Sequence, residues 1–355
     1  MLTVAVPCAA QVTPAAGYTP PDDTPSIKVG ALIYTDYTVQ MDPKITDTDG
    51  NSTTLNSFNV GRAYINITGN ISHSIAFRIT PDITRETGAG SSLNGSYTFR
   101  LKYAFAQWNL DDYMTKGSWV RLGQQTTPYV DYAEGIYRYR FQGTTFIERE
   151  GYQSSADVGA TFHYNFAQNF GDLHGGVYNG DTYTKPEAND QKGWTVRTTF
   201  RPLAHASAQA AHGLRVTYFV DADHYVKSAD RLRSELAVTF EHQYLNASFE
   251  SLWTKDQTSV AKSEADGKGW SVWVTPRTKI GWEGLIRYDH LEPNDSSATS
   301  NQTHTRFIGG IAYWFPHQGS VSTALLLDYD DAKFNNFTPV QPEQKKVAVH
   351  CLLSF

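Results

Sequence analysis

Apolar and polar side chains alternate along most of this chain, and the alternation predicts β-strands that present one face to an apolar environment. The pattern is clearest in the last nine residues, where one face of the strand carries Val347, Val349, Cys351, Leu353 and Phe355. The opposite face is smaller or more polar, and no polar tail follows the final phenylalanine. This ending is typical of a membrane barrel, whose last strand pairs with the first and removes every sheet edge. A terminal strand of a soluble β-sandwich is the alternative.

Similar segments recur from residue 27 to the end, and most are about ten to fourteen residues long, which suits tilted membrane strands. We predict sixteen of them, near 27–38, 56–69, 72–85, 96–110, 117–127, 153–166, 170–180, 191–202, 211–223, 231–243, 244–256, 267–277, 279–290, 301–314, 319–331 and 344–355. An even number places both termini on the periplasmic side, with the long polar stretches outside. The predicted fold is therefore all-β, a 16-stranded antiparallel transmembrane β-barrel.

The chain before the barrel divides into two segments. Residues 1–10 resemble the remnant of a signal peptide, with a small-residue cleavage site at Cys8, Ala9 and Ala10. A lipoprotein attachment at Cys8 is the weaker alternative. Residues 11–26 are rich in proline and predict a periplasmic N-terminal segment with no core of its own. Residues 27–355 then form the barrel.

Composition supports a membrane barrel over a soluble sheet. Aromatic residues make up 13% of the chain, with 21 Tyr and 8 Trp, and every tryptophan falls inside or at the end of a predicted strand. Tyr and Trp settle at lipid–water interfaces, so we interpret them as aromatic girdles, with a large soluble core as the alternative. A net charge of −6 argues against nucleic-acid binding.

The charged positions within the strands predict a water-filled lumen. Strand 4 alternates between an apolar set, Tyr97, Phe99, Leu101, Tyr103 and Phe105, and a set with two cations, Thr98, Arg100, Lys102, Ala104 and Ala106. Extending that parity to all strands places twelve basic residues and nine acids on the interior face, so the lumen leans positive. The candidate pore-lining residues are Arg62, Arg78, Arg100, Lys102, Arg121, Arg197, Arg215 and Arg287. Alternatively, these charges only pair across the lumen and brace the wall.

The longest connection, residues 128–152, predicts a constriction. A loop this long with so many aromatic residues is expected to pack, and folding into the lumen would narrow the channel. Its candidate constriction residues are Tyr129, Asp131, Glu134, Arg138, Arg140, Glu148 and Arg149. An outer flap that contributes only to the surface is the alternative.

Three short motifs in order resemble the phosphate-selective porins O and P: Phe58-Asn-Val-Gly-Arg-Ala63, Val120-Arg-Leu-Gly-Gln-Gln-Thr-Thr-Pro128 and Phe146-Ile-Glu-Arg149. The resemblance implies a trimer of sixteen-stranded barrels, an inward-folded third loop and an arginine-lined path for anions. By match to these motifs it assigns Arg62, Arg121 and Arg149 to the pore or its constriction. Phosphate-binding members also carry a lysine cluster in the fifth outer loop, whereas residues 224–230 offer only Lys227. We therefore expect a general, anion-leaning porin.

Catalytic and metal-binding motifs are weak or missing in the sequence. No catalytic serine elbow, phosphate-binding loop or paired-cysteine motif occurs, and His350 is expected to be structural. Residues 47–51 and 328–331 are weak calcium candidates, so we expect no metal and no cofactor. The predicted function is that of an outer-membrane porin for small hydrophilic or anionic solutes. The chain is expected to be exported to the outer membrane through a signal peptide. Its expected partners are outer-membrane lipid, lipopolysaccharide and the barrel-assembly machinery, which reads Phe355. The alternatives are a soluble or surface β-rich carbohydrate-binding protein and an outer-membrane hydrolase.

Overall fold

The computed structural model describes residues 19–187, 189–295, 301–317, 319 and 321–355. The predicted signal remnant and most of the proline-rich segment therefore lie outside the described residues. Sixteen antiparallel strands close into one barrel, in which every strand pairs with its sequence neighbours and β1 pairs with β16. This confirms the predicted fold class and strand number. The strands are β1 (Ser26–Thr46), β2 (Ser52–Asn70), β3 (Ile75–Arg85), β4 (Tyr97–Asn109), β5 (Trp119–Thr126), β6 (Ala156–Asn165), β7 (Gly171–Tyr178), β8 (Gly193–Phe200), β9 (Leu214–Val226), β10 (Ala229–His242), β11 (Leu245–Asp256), β12 (Ala265–Pro276), β13 (Trp282–Glu292), β14 (Thr303–Trp314), β15 (Ser322–Asn335) and β16 (Gln344–Ser354).

In the part of the chain that the structure describes, helices occur only as short segments between strands. The connection after β5 contains α1 (Pro128–Tyr137) and α2 (Phe146–Arg149), and 3₁₀ turns cover Ala167–Asn169 and Gln209–Gly213. Within the described residues, no helix is long and apolar enough to cross a membrane.

The C-terminal strand closes the barrel as its alternation predicts. In the ladder between β1 and β16, Leu32 lies opposite Ser354 and Tyr37 lies opposite Val349. Beyond the ladder, the backbone N–H of Phe355 donates to the carbonyl of Ala31 at 3.1 Å, and the reverse bond measures 2.9 Å. Val349, Leu353 and Phe355 are exposed on the outer wall, whereas Ala348, His350 and Leu352 are buried inside. The first and last strands are thereby paired, and the barrel is closed.

The outer face of the barrel is apolar, but the tryptophans are divided between this outer face and the interior of the barrel. Five of them are exposed on the outside, at positions 108, 194, 253, 270 and 282. Trp119 and Trp273 are instead buried inside the barrel, and the indole of Trp314 bonds to the interior Tyr139. The girdle interpretation was therefore wrong for these three, because the connection after β5 and the inner wall supply partners that bury Trp119 and Trp273 and partly bury Trp314.

Strand β4 does not keep one parity along its length. Its register against β3 shifts between Thr80 and Pro81, so Lys102 is an extra residue with no partner. Below this bulge the faces exchange, and Tyr103 and Phe105 turn inward while Ala104 and Ala106 turn outward. The predicted outward position of both rings was wrong.

Four of the eight outer connections are shorter than predicted, and the first and the fifth differ most. Residues 39–55 were expected to form a loop, yet β1 runs to Thr46 and β2 begins at Ser52, so only residues 47–51 connect them. The fifth connection, predicted at 224–230, contains two residues between β9 and β10. The long connection after β5 spans residues 127–155 and is called loop 3 below. Loop 3 is the longest connection between the described strands.

Candidate pore and constriction

Loop 3 begins with helix α1, and particular residues mark both ends of this helix. Pro128 occupies the first turn, where its missing N–H is harmless, and Arg138 ends the helix in a left-handed conformation with φ of 62°. Asp131 and Glu134 lie three residues apart and share one face, whereas Tyr129 and Ala133 lie on the other. The helix is therefore amphipathic, with an apolar face that must find a partner.

That apolar face packs on the inner wall formed by β9, β10 and β11. Tyr129 and Ala133 join a buried cluster with Phe219, Ala237 and Leu252. The Tyr129 hydroxyl donates to Glu235 at 3.0 Å. The side-chain amide of Asn246 donates to the carbonyl of Ile136 at 2.9 Å. The wall thus holds α1 by both apolar contacts and hydrogen bonds.

The chain after α1 builds a second apolar cluster inside the barrel. Tyr137 packs edge-on against Trp273 with ring centroids 5.2 Å apart, and Phe141 contacts Trp314 at 5.9 Å. The inner wall of β12–β16 and β1 is apolar here, with Leu285, Ile308 and Leu326 fully buried. The buried members of this cluster are Leu32, Tyr34, Tyr64, Ile136, Tyr137, Tyr139, Phe141, Trp273, Leu285, Ile308, Ala312, Ala324, Leu326 and Leu352. The expectation of a polar face around the whole lumen was therefore wrong on this side, because loop 3 covers it.

Polar contacts fix the remaining part of loop 3 to β13–β15. The guanidinium of Arg287 donates to the carbonyl of Thr144 at 2.9 Å, and Gln142 donates to Asp328 at 2.9 Å. Arg149 on α2 donates to the side-chain oxygen of Gln142 at 2.9 Å. Arg149 therefore lies with this wall and not with Arg62 and Arg121, the two residues the family motifs grouped with it.

The opposite wall, β2–β5, carries cations that rest on aromatic rings. We call Arg62, Arg78, Lys102 and Arg121 the basic strip. Arg78 lies 4.2 Å from the ring centroid of Tyr103, and Arg121 lies 3.7 Å from that of Trp119. Within the described part of the chain, no carboxylate oxygen lies within 4.0 Å of any of the four. Rings and neutral polar groups position these cations and leave their charge uncompensated by direct pairs.

Arg100 differs from the basic strip because it has an acidic partner. Its guanidinium lies 3.5 Å from Asp82 and 4.8 Å from the ring of Tyr183, which reaches inward from the connection after β7. The ammonium of Lys102 lies 3.7 Å from the same ring. The ring of Tyr183 thus contacts both cations of β4, Arg100 and Lys102.

Acidic groups of loop 3 face the basic strip. A narrow cavity of about 20 Å³ is lined by Arg62 and Arg78 on one side and by Asp131, Glu134 and Arg140 on the other. Arg140 holds Glu134 at 2.6 Å and Glu148 at 2.8 Å. Burial raises the pKa of Glu134 despite this partner. Burial acts in the same direction on Glu148, but Arg140 and Lys102 outweigh it and its pKa is lowered.

The other predicted pore-lining arginines are paired with acids on the wall. Arg197 pairs with Asp172, Arg215 pairs with Glu241, and Arg287 pairs with Asp289 at 2.8 Å. Their arrangement matches the wall-bracing alternative. Arg138, predicted in the constriction, likewise lies 3.6 Å from Glu283.

The predicted count of interior acids was too low. Asp82, Asp172 and Asp223 also face inward and are paired with Arg100, Arg197 and Arg231. The excess of positive charge is therefore local to the basic strip and is not a property of the whole lumen.

A larger cavity of about 380 Å³ opens beside loop 3 toward the outer end of β6–β10. Its charged lining residues are Glu148, Asp157, Lys185, Asp221 and Arg231, and the rings of Tyr152, Tyr178 and Tyr183 contribute apolar surface. Its volume suits a small organic solute. This cavity lies on the outer side of the basic strip.

Sequence reasoning missed the aromatic supports of the basic strip. Tyr64, Tyr103 and Trp119 all belong to the inner wall, but strict alternation placed Tyr103 outside. Pro81 was the available signal, because a proline inside a strand cannot donate to the ladder and marks a bulge. Among the described residues, no group of three or more His, Cys, Asp or Glu side chains is placed to hold a metal ion.

The closed barrel, the apolar outer wall and the charged inner wall together define an outer-membrane porin, a channel for small solutes. The sequence profile of the phosphate-selective porin O and P family matches residues 28–239, more than half of the chain, and the protein belongs to that family. The resemblance in the motifs is thus confirmed. No curated protein sequence matched the chain.

Solved structures share the fold at low identity. A loop L8 deletion mutant of OmpT from Vibrio cholerae has a TM-score of 0.63 at 12% identity, covering 94% of this chain and 100% of its own. The trimer form of OmpT from the same organism has a TM-score of 0.59 at 12% identity, with coverage of 94% and 100%. An anion-selective porin from Comamonas acidovorans has a TM-score of 0.59 at 11% identity, again with 94% and 100%.

Proposed function

We propose that this outer-membrane porin conducts small hydrophilic solutes with a preference for anions, and that the basic strip sets the preference. The observation that carries the proposal is the set of four cations on β2–β5 without a carboxylate within 4.0 Å among the described residues. Arginine stays charged at physiological pH, and a positively lined constriction attracts passing anions. The other predicted pore-lining arginines, Arg100, Arg197, Arg215 and Arg287, have acidic partners and therefore contribute less to the field.

Reversal potentials in a potassium chloride gradient test the preference. The triple variant Arg62→Gln, Arg78→Gln and Arg121→Gln should move the reversal potential from the chloride side toward zero. Lys227→Gln combined with Lys262→Gln in the outer connections is the control and should change it much less. A wild-type channel without anion preference, or a triple variant with the wild-type reversal potential, would refute the role of the basic strip.

We infer a homotrimer in the membrane as the working assembly, supported by the family and by the trimer form recorded for the OmpT neighbour. Native mass measurement in several mild detergents tests it, and a monomer in all of them would refute it. The proposed partners are outer-membrane lipid, lipopolysaccharide and the barrel-assembly machinery, after export through a signal peptide at residues 1–10. The closed barrel and the family favour a channel over the hydrolase and carbohydrate-binding alternatives.

A further inference from the structure

The cavity of about 380 Å³ at the outer end of β6–β10 lies on the outer side of the basic strip, and we call it the outer cavity. Its volume falls within the roughly 300–1,000 Å³ of sites that bind small molecules. Hydroxyl groups are frequent in its lining, and besides those of its tyrosines they belong to Thr127, Ser154, Thr182, Thr184 and Thr195. A solute that enters from outside meets this cavity before it reaches the constriction.

Several buried polar atoms that line the outer cavity have no partner in the protein. Thr195 is 1% exposed, yet its hydroxyl forms no hydrogen bond with any described residue. In the same part of the chain, the side-chain oxygen of Gln153 and Nε of Arg231 also lack a partner. The carboxylate of Asp221 forms no hydrogen bond to a described residue, and its ion-pair partner Arg231 lies 3.8 Å away. Buried polar groups are nearly always satisfied, so these groups point to a polar molecule in the cavity.

The charges around the outer cavity are of both signs, which argues against a simple ion as its preferred ligand. The acids are Glu148, Asp157 and Asp221, and the cations are Lys185 and Arg231. Arg231 is already held by Asp223 at 2.8 Å. An anion would therefore lie among carboxylates, and a cation would lie beside an ammonium and a guanidinium. An uncharged solute with both donors and acceptors avoids repulsion from either sign.

The carboxylate of Asp157 is held in one orientation by the backbone. Its two oxygens accept the N–H groups of Val158 at 2.7 Å and Gly180 at 2.8 Å. Each carboxylate oxygen has about two acceptor positions, so capacity remains for hydroxyl donors of a solute. The rings of Tyr152 and Tyr183 add flat apolar surface. A site with a few convergent polar groups and aromatic walls suits a solute with hydroxyls at its edge and C–H groups on its faces.

We propose that the outer cavity binds uncharged polyhydroxylated solutes of the monosaccharide class on their way to the constriction. Hydroxyls of the sugar donate to Asp157 and Asp221 and accept from Arg231, while the hydroxyl of Thr195 pairs with another. A hydroxyl is both donor and acceptor, so a sugar reproduces the hydrogen bonds of the water that it displaces. This proposal rests on the proposed function only in requiring that solutes enter the barrel.

Inhibition of the ionic current by D-glucose in planar bilayers tests the proposal. Wild-type channels should lose current in a saturable way as glucose is added, because a bound sugar obstructs the entrance. Tri(ethylene glycol) is the matched solute, since it is of similar size but carries hydroxyls only at its ends, and it should reduce the current in simple proportion to its concentration. The same proportional decrease for both solutes would overturn the proposal.

The variant Thr195→Val removes the unpartnered hydroxyl and keeps the shape of the side chain. The glucose concentration for half-maximal inhibition should rise about threefold to tenfold, because one hydrogen bond is lost. Thr145→Val is the matched control, because the hydroxyl of Thr145 is also buried without a partner among the described residues but does not line this cavity. The control should keep the wild-type value.

Asp221→Asn tests the carboxylate and should raise the same concentration about tenfold, since a charge-assisted acceptor is lost. Wild-type inhibition in both Thr195→Val and Asp221→Asn would overturn the assignment of the sugar to this cavity. If neither variant folds, the wild-type comparison of the two solutes decides. Channels that prefer chloride but show no saturable inhibition would overturn this inference and leave the proposed function standing, whereas no ionic current at all would overturn both.

Discussion

At the scale of residues, backbone geometry explains why a particular residue type is required at positions where the hydrophobic pattern does not specify one. Gly123 in β5 has φ of +126°, and a Cβ at this position would lie 2.3 Å from the carbonyl oxygen of Ala104. Only glycine fits both the conformation and the close approach of β4. The glycine of the second family motif thus positions the strand that carries Arg121.

Gly123→Ala should destabilise the barrel by about 1–3 kcal/mol, because the added methyl group meets backbone and the conformation is strained. The temperature at which the folded band disappears in a heat-modifiability gel measures it. Gly151→Ala is the control, since Gly151 also has positive φ but a Cβ there would meet nothing within 4 Å. Equal losses in the two variants would show that the contact with Ala104 does not matter.

His73 connects the segment before β1 to the periplasmic turns. Its ring bonds to the carbonyl of Pro20 and to Asp112 at 2.8 Å, and these two contacts raise its pKa. A raised pKa means that the protonated ring favours the docked segment. The stabilisation is fully present below the ordinary histidine value of about 6.5 and is lost as pH rises through the raised pKa.

Residues 19–25 should therefore exchange their amide hydrogens more slowly, after correction for intrinsic rates, at pH 5.5 than at pH 8.5. His73→Gln removes the titration and should abolish the difference. A pH difference that persists in His73→Gln would assign it to another group.

At the scale of elements, loop 3 is held by contacts with the barrel wall in addition to the ion pairs within the loop. Tyr129 is fully buried, and its hydroxyl donates to a side-chain oxygen of the buried Glu235. Burial and then Glu235 raise the Tyr129 pKa well above its ordinary value, so the phenol keeps its proton. The hydrogen bond therefore holds α1 over the whole physiological pH range.

Tyr129→Phe should cost about 1–3 kcal/mol, because the buried side chain of Glu235 loses the hydroxyl of Tyr129 as a partner, and it should increase open-channel current noise as α1 loosens. Tyr113→Phe is the control, since Tyr113 is 84% exposed in the turn after β4. Single-channel recording and thermal unfolding check both effects. Wild-type noise and stability in Tyr129→Phe would mean that apolar contacts alone hold the helix.

The elements were largely predictable from sequence, whereas the contents of the lumen were not. Period-two alternation identified sixteen strands because one face of each meets lipid. The apolar inner patch around Leu285, Ile308 and Leu326 was not predicted, because it depends on where loop 3 packs. The same is true of the basic strip, since parity alone cannot separate Arg78, which rests on a ring, from Arg287, which is paired.

At the scale of the whole molecule, pairing of the first and the last strand closes the barrel. Phe355 exchanges two backbone hydrogen bonds with Ala31 and is 61% exposed on the outer wall. It therefore completes the ladder and presents an aromatic ring at the rim. Loss of this residue removes both features at once.

Deleting Phe355 should sharply lower the amount of folded protein recovered from the outer membrane, because the last ladder contact is lost. Deleting Val340, which is 86% exposed in the last outer connection, is the control. Quantitative fractionation checks the result. Normal amounts of the truncated chain in the outer membrane would contradict this role of the C-terminus.

The apolar cluster inside the barrel gives the channel a second kind of stability. Lipid surrounds the outer wall, but the seat of loop 3 is stabilised by excluding water, with Tyr137, Phe141 and Leu326 buried together. Release of loop 3 exposes apolar surface to water and therefore has a positive heat capacity change. Its hold weakens on cooling and in urea, under conditions that leave the sixteen ladders paired. We therefore expect the conductance of this channel, which depends on the position of loop 3, to respond to temperature and urea as the core of a water-soluble protein does.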